Sequence, residues 1–156
     1  MKRGSVLLFL LCCALAVGCR SQSVMNDIAQ SHIEANIPKG KSFDEYLKRD
    51  LKTYFCGEAI DCRIEYELLR DEPTQTGIAY PKYYLWAKCF KGNTITAEGA
   101  VRVAAVEQKN FDITNFLSRE QISTSPSEVA SIFPTALVDK IVRRAQGEEP
   151  RGTKAE

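Results

Sequence analysis

The sequence predicts an α+β domain: an N-terminal helix packed on a four-stranded antiparallel meander, followed by two or three short C-terminal helices. Three observations carry that prediction. Apolar residues recur every three or four positions after Ser42, the period drops to two from Asp61, and helix-start signals return at Ser118 and Ser125.

Ser42-Phe43-Asp44-Glu45 has the form of a capping box, with Glu45 three residues after the capping serine. Phe43, Leu47, Leu51, Tyr54 and Phe55 then line one helical face, and Asp44, Lys48, Arg49 and Lys52 the other. Gly57 supplies the stop. From Cys62 the alternation of Cys62, Ile64, Tyr66 and Leu68 with Arg63, Glu65 and Glu67 describes a half-buried strand. Asp71 to Gly77 is a loop. Tyr83, Leu85, Ala87 and Cys89 alternate in a second strand, Gly92-Asn93 turns the chain, and Ile95 to Ala105 alternate in a third. A tight turn near Lys109-Asn110 leads to a short fourth strand, Phe111 to Phe116, and the meander has one clean apolar face.

The end is helical again. Ser118-Arg119-Glu120-Gln121 and Ser125-Pro126-Ser127-Glu128 both have capping-box form, the second with proline at the first helical position. Pro134 breaks that helix and opens another, in which Leu137, Ile141 and Ala145 share a face. The tail from Gly147 to Glu156 is polar and reads as disordered, so the domain spans 42–146.

Pairing core with core, Leu68 opposite Tyr83 places Cys62 opposite Cys89, although a slide of two residues preserves the same matching. Cys56, Cys62 and Cys89 are therefore disulfide candidates. The adaptable loop between Cys56 and Cys62 favours that pair, and Cys62–Cys89 is the competitor. A bridge of such short reach contributes roughly 2–3 kcal/mol by chain entropy.

The start of the chain has a different character. Lys2 and Arg3 precede an apolar run from Val6 to Val17, which as a helix covers about 18 Å and is too short for a bilayer core. The run ends in Ala16-Val17-Gly18-Cys19, and in these residues the chain resembles bacterial lipoprotein precursors with a type II signal peptide and lipobox. The resemblance covers about the first twenty residues. It implies cleavage between Gly18 and Cys19, with residues 1–18 removed and palmitate-type acyl chains carried on Cys19. Alanine at position 16, where the family most often has leucine, departs from its pattern. Arg20, in place of the aspartate that retains such proteins in the inner membrane, implies the periplasmic face of the outer membrane. Two or three chains make such attachment stable where one would not, at about 0.8 kcal/mol per buried CH₂. Residues 19–41, polar and ending in Pro38-Lys39-Gly40, read as a tether in which Met25–Asn36 can support a weak helix.

Cleavage leaves 138 of the 156 residues, enough for one domain, with 19 basic against 20 acidic side chains. That balance gives no reason to expect a nucleic-acid partner. His32 is the only histidine and lies in the tether, so a Ser–His–Asp or Cys–His apparatus has no base in the domain. Cys56-x5-Cys62 is not a Cys-x2-Cys metal pair and no glycine-rich phosphate loop is present, so no cofactor, metal ligand or catalytic residue is assigned. Glu65 and Glu67 lie about 7 Å apart on one strand face, and Glu98 could join them. Neutralisation of these acids by Arg63, Lys88 and Arg102 is the plainer expectation. Tyr84, Trp86, Lys88, Phe90, Glu98 and Arg102 share that face, which is either a candidate binding face or is packed beneath the C-terminal helices.

The expected function is a non-enzymatic, outer-membrane-anchored binding or structural module whose partner is a periplasmic protein or envelope component. One alternative is an enzyme or ligand-binding module acting on envelope sugars or lipids through Glu65, Glu67 or Glu98. Another is a periplasmic inhibitor or immunity protein. A long helix followed by a meander is similar in element order to the cystatin-like and NTF2-like shapes, and element order carries no function.

Overall fold

The computed structural model describes residues 24–148; residues 1–23, with the expected signal segment and Cys19, and the tail from residue 149 lie outside the described residues. Residues 24–36 form helix α1. Then follow α2 (Lys41–Cys56), β1 (Cys62–Leu68), β2 (Lys82–Lys91), β3 (Thr94–Val106), β4 (Asn110–Ser118), α3 (Arg119–Thr124), α4 (Pro126–Ile132) and α5 (Thr135–Ala145). The sheet is a four-stranded antiparallel meander in the order β1-β2-β3-β4, and the fold is α+β as predicted.

The sheet is sandwiched between helices on both sides. Helix α2 lays Leu47 and Leu51 on one face, against Ile64, Leu85, Val101 and Val103. Helices α3–α5 cover the other, bringing Ile122, Val129, Phe133 and Ile141 onto Tyr84 and Trp86. The expectation of one clean apolar face is thus corrected: β2 is buried from Tyr83 through Ala87 without a break, as befits a strand covered on both sides. The C-terminal helices need this second face because each is too short to be stable alone.

Four local expectations are also corrected. Helix α2 begins at Lys41, with Gly40 (φ 57°) at the N-cap, while Ser42 lies inside the first turn with its N–H on the Lys39 carbonyl (3.3 Å). The chain reverses at Gly40, whose positive φ a serine cap does not adopt. The stop at Gly57 is as predicted, its N–H bonded to Thr53 O (3.1 Å).

The β3–β4 turn falls at Glu107-Gln108, two residues before the predicted place. Both residues take positive φ (50° and 58°), and the Lys109 N–H closes on Val106 O (3.1 Å). This is a type I′ geometry made without its usual Asn-Gly. It is held from outside: Glu107 N–H donates to Asn36 Oδ1 (3.0 Å), Gln108 N–H to Asn36 O (2.9 Å), and Gln108 Nε2 to Glu34 O (2.6 Å). The C-terminal end of α1 is therefore docked on the hairpin, and Asn36 is buried there.

The third correction is register. Leu68 pairs with Leu85, Tyr66 with Ala87, Ile64 with Cys89 and Cys62 with Lys91, the two-residue slide of the expected pairing. Core still meets core, because a slide of two leaves every side chain on its own face.

Ser118 closes its capping box with Gln121 (3.1 and 2.8 Å) as predicted. The capping box expected at Ser125 is the fourth correction: its side chain makes no cap, its carbonyl takes the Glu128 N–H (3.0 Å) instead, and Pro126 opens α4 as expected. Pro134 precedes α5. Gly99 lets the chain reach this second layer. A Cβ there would overlap the Leu117 carbonyl and sit 2.9 Å from both Phe116 Cε2 and Ser118 Cα, where β4 closes over β3 before α3 begins. Among the described residues, no helix is long and apolar enough to cross a membrane.

Candidate functional site

The charged and aromatic face splits into a roofed part and an open part. Tyr84 and Trp86 are buried under α3–α5, so packing rather than display is their role. Several charges of the candidate face hold the roof in place. Arg102 donates through a guanidinium N–H to the Ile132 carbonyl at the end of α4 (3.0 Å) and through Nε to Thr114 Oγ1 (3.0 Å). It therefore neutralises none of the acids, contrary to expectation. Arg119 donates through Nε to the Ala145 carbonyl at the end of α5 (2.8 Å) and reaches Glu98 at 3.3 Å. Arg144 of α5 pairs with Glu67 at 2.7 Å and lies over the Trp86 ring, 5.2 Å from its centroid.

Glu98 is the hub of this arrangement. Its Oε1 accepts the Trp86 indole N–H (3.0 Å) and lies 3.6 Å from Lys88 Nζ, while its other oxygen takes Arg119. Burial pushes its carboxyl up, but the Trp86 N–H, Lys88 and Arg119 together outweigh burial and hold it below its ordinary value. A general acid near neutral pH needs the opposite shift. Glu65 is ion-paired with Arg63 of its own strand, and Glu67 with Arg144.

The open part lies beyond the helices. Arg63 and Glu65 of β1 stand opposite Phe90 and Lys88 of β2. The Arg63 guanidinium sits 4.1 Å over the half-buried Phe90 ring. A groove of about 200 Å³ runs from here to the roof, lined by Glu65, Tyr66, Glu67, Trp86, Lys88 and Arg144. It is shallow and mixed in charge, and β1 beside it is a sheet edge. Of the six residues of the candidate face, the structure leaves Lys88 and Phe90 at this opening and draws Tyr84, Trp86, Glu98 and Arg102 into the joint between sheet and helices.

On the opposite face all three cysteines of the domain converge. Cys56 and Cys62 form the disulfide, with Cα atoms 6.1 Å apart. Cys89 is a buried free thiol whose Sγ lies 3.2 Å from Cys62 Sγ and 3.4 Å from Cys56 Sγ. Thr96 Oγ1 reaches Cys89 Sγ and the Cys89 carbonyl, each at 3.3 Å. Thr96 is the extra residue of a bulge: Cys89 pairs with Ala97 and Phe90 with Ile95, so Thr96 has no partner of its own. His32, the lone histidine, stands on α1 beside Tyr80, with ring centroids 6.1 Å apart.

Compared with protein-family models, with curated proteins and with solved structures, the chain matches none. Site residues must therefore be read from geometry alone. Sequence reasoning missed Arg119, Arg144 and Thr96. The first two are helix residues whose reach onto the sheet depends on how the helices fold back. Thr96 was read as one of an even alternation, and the alternation from Ile95 to Ala105 continues through it without a break.

Proposed function

We propose that this chain is a bacterial lipoprotein, held at the periplasmic face of the outer membrane by acyl chains on Cys19, whose domain acts by binding a protein or other envelope component. The observation that carries the reading is the apolar run from Val6 to Val17 closing on Gly18-Cys19. Helix α1 supports it. It begins five positions after Cys19, exposes Val24, Met25 and Ile28 at that end, and is docked on the domain at its other end through Asn36. A helix of this length is a stiff spacer of about 20 Å, rather than the free tether expected from composition. Binding rather than catalysis is supported by the acids. Glu65, Glu67 and Glu98 each face a cation, and the open surface of Arg63, Glu65, Lys88 and Phe90 presents alternating charge around one aromatic ring. Such a surface suits a polar partner with an aromatic or aliphatic anchor.

The anchor is tested by mass spectrometry of the mature N-terminal peptide and by detergent partition. Acyl mass on Cys19 is the expected result, and Cys19→Ala should accumulate as uncleaved precursor. Processing of that variant at residue 18 with recovery in membranes defeats the reading. The binding surface is tested separately, with a photo-crosslinking residue at position 90 and a control at position 54. A discrete adduct from position 90 that Lys88→Glu abolishes supports it, and equal labelling from both positions does not.

A further inference from the structure

We propose that Cys56, Cys62 and Cys89, once the disulfide is reduced, form a three-thiolate site for one soft monovalent cation, Cu(I), with Thr96 as its positioning residue. The inference is independent of the lipid anchor and of the open surface on the other face of the sheet.

Three elements deliver the sulfurs to one point. Cys56 ends α2, Cys62 opens β1, and Cys89 lies on β2 beside the bulge. A free thiol so close to a disulfide invites thiol–disulfide exchange as the explanation, but the geometry opposes it. Exchange needs attack along the S–S axis, which places the attacking sulfur about 2 Å further from the leaving sulfur than from the one attacked. The two distances from Cys89 differ by only 0.2 Å, so its sulfur stands beside the bond and equidistant from its ends. An equidistant third donor is the arrangement of a triangle around a central ion. At metal–sulfur distances of about 2.3 Å the sulfurs of such a triangle are about 4 Å apart. The two Cys89 contacts already lie within 1 Å of that spacing, and release of the Cys56–Cys62 bond frees the third side.

The donor set selects the ion. No histidine or carboxylate joins the three sulfurs among the described residues, so the site is all thiolate and three-coordinate. Thiolate-only sites favour soft ions, and a Cu(I) ion is satisfied by three ligands where Zn(II) takes four. Thr96 fits as the outer partner that orients a metal ligand: its hydroxyl reaches the Cys89 sulfur, and the bulge that unpairs it is what aims it there. The chemistry balances with a dithiol as the reductant. The dithiol gives two electrons and two protons to the Cys56–Cys62 bond, becoming a disulfide itself and leaving two thiols on the chain. Cu(I) then displaces one proton from each of the three thiols.

The test uses the full chain with Cys12, Cys13 and Cys19 changed to Ser in every version, so that these three thiols are the only ones present. The protein is reduced with a dithiol, freed of it anaerobically, and titrated with Cu(I) against a competing chromogenic chelator. Uptake of one Cu(I) per chain by the reduced protein and none by the oxidised protein is expected. Cys89→Ser should weaken binding about 100-fold, and Thr96→Val, which keeps the shape and all three sulfurs, about tenfold. Circular dichroism of each variant shows whether it is folded, and if Cys89→Ser is not, Thr96→Val decides. No retained copper in the reduced protein, or affinity unchanged in the folded variants, overturns the proposal.

Discussion

Replacing Glu98 by Gln tests whether the charged face is a joint between sheet and helices. The side chain keeps its shape, and the amide oxygen can still accept the Trp86 indole N–H, so only the charge is removed. Lys88 and Arg119 are 35% and 45% exposed in their side chains, so the two ion pairs are worth about 0.5–1 kcal/mol each rather than the larger cost of a buried pair. Losing charge assistance in the Trp86 bond adds about 0.5 kcal/mol. The total, about 2 kcal/mol, lowers the thermal midpoint by about 5–10 °C for a domain of this size. The pH dependence has a definite sign. Because the folded carboxyl is held below its ordinary value of 4.5, its contribution is fully present above that value and is lost as the pH falls through the folded one. Melting curves of the two proteins, followed by far-UV circular dichroism, should therefore stand apart at pH 7 and draw together as the pH falls below 4.5. Equal midpoints at pH 7, or a gap of the same size at every pH, would refute the assignment of Glu98 as a charged clamp.

Other outcomes follow from the same contacts. Gly99→Ala forces a methyl group into the Leu117 carbonyl, which cannot swing aside as a side chain could, and should cost about 1–3 kcal/mol in urea denaturation. Replacing Glu107-Gln108 by Asn-Gly relieves two left-handed residues at the loss of the Gln108 side-chain bond to Glu34 O, keeps the backbone bonds to Asn36, and should raise stability by about 1–2 kcal/mol in the same assay. Asn36→Ala leaves the Glu107 N–H without its acceptor, and should speed amide exchange in the β3–β4 turn and in α1 while β2 stays protected. Non-reducing peptide mapping should recover Cys56 linked to Cys62, with Cys89 alkylated only after unfolding.

The elements were legible because their signals are local. Alternation over Cys62–Leu68 marked β1 to the residue, and the Ser118–Gln121 capping box placed α3, since both depend on neighbours a few positions apart. What failed depended on distant partners. Glu107-Gln108 lacks a turn signature because Asn36, seventy-one residues earlier, supplies the hydrogen bond that holds it. The face of Tyr84, Trp86 and Arg102 read as a surface or an interior, with packing under the helices favoured, and the two were not separated because a charged residue that caps a helix carbonyl looks in sequence like one that faces water. Arg102 on Ile132 O and Arg119 on Ala145 O satisfy the last turns of α4 and α5, where orphan carbonyls need a donor. The two readings of that face divide along it: Tyr84, Trp86, Glu98 and Arg102 lie at the joint with the helices, and Lys88 and Phe90 lie at its open end.

The register and the cysteines turn out to be one question. Had Cys62 stood opposite Cys89, as the first pairing had it, two sulfurs on facing strands would have met directly and Cys56 would have been left over at the helix end. The observed slide puts Ile64 opposite Cys89 and moves Cys62 to the diagonal, where the two sulfurs still touch and a third side chain fits beside them. The end of α2 brings Cys56 to that place, against both sulfurs. A two-residue difference that leaves the apolar core indifferent therefore separates a simple cross-strand bridge from a cluster of three sulfurs. The bulge at Cys89/Phe90 acts in the same place, since it is what brings the Thr96 hydroxyl to the free sulfur. Removing the bulge by deleting Thr96 should restore continuous β2–β3 pairing, and with it a thiol at Cys89 that no hydroxyl contacts. Such a deletion variant, if folded, should hold Cu(I) no better than Thr96→Val does.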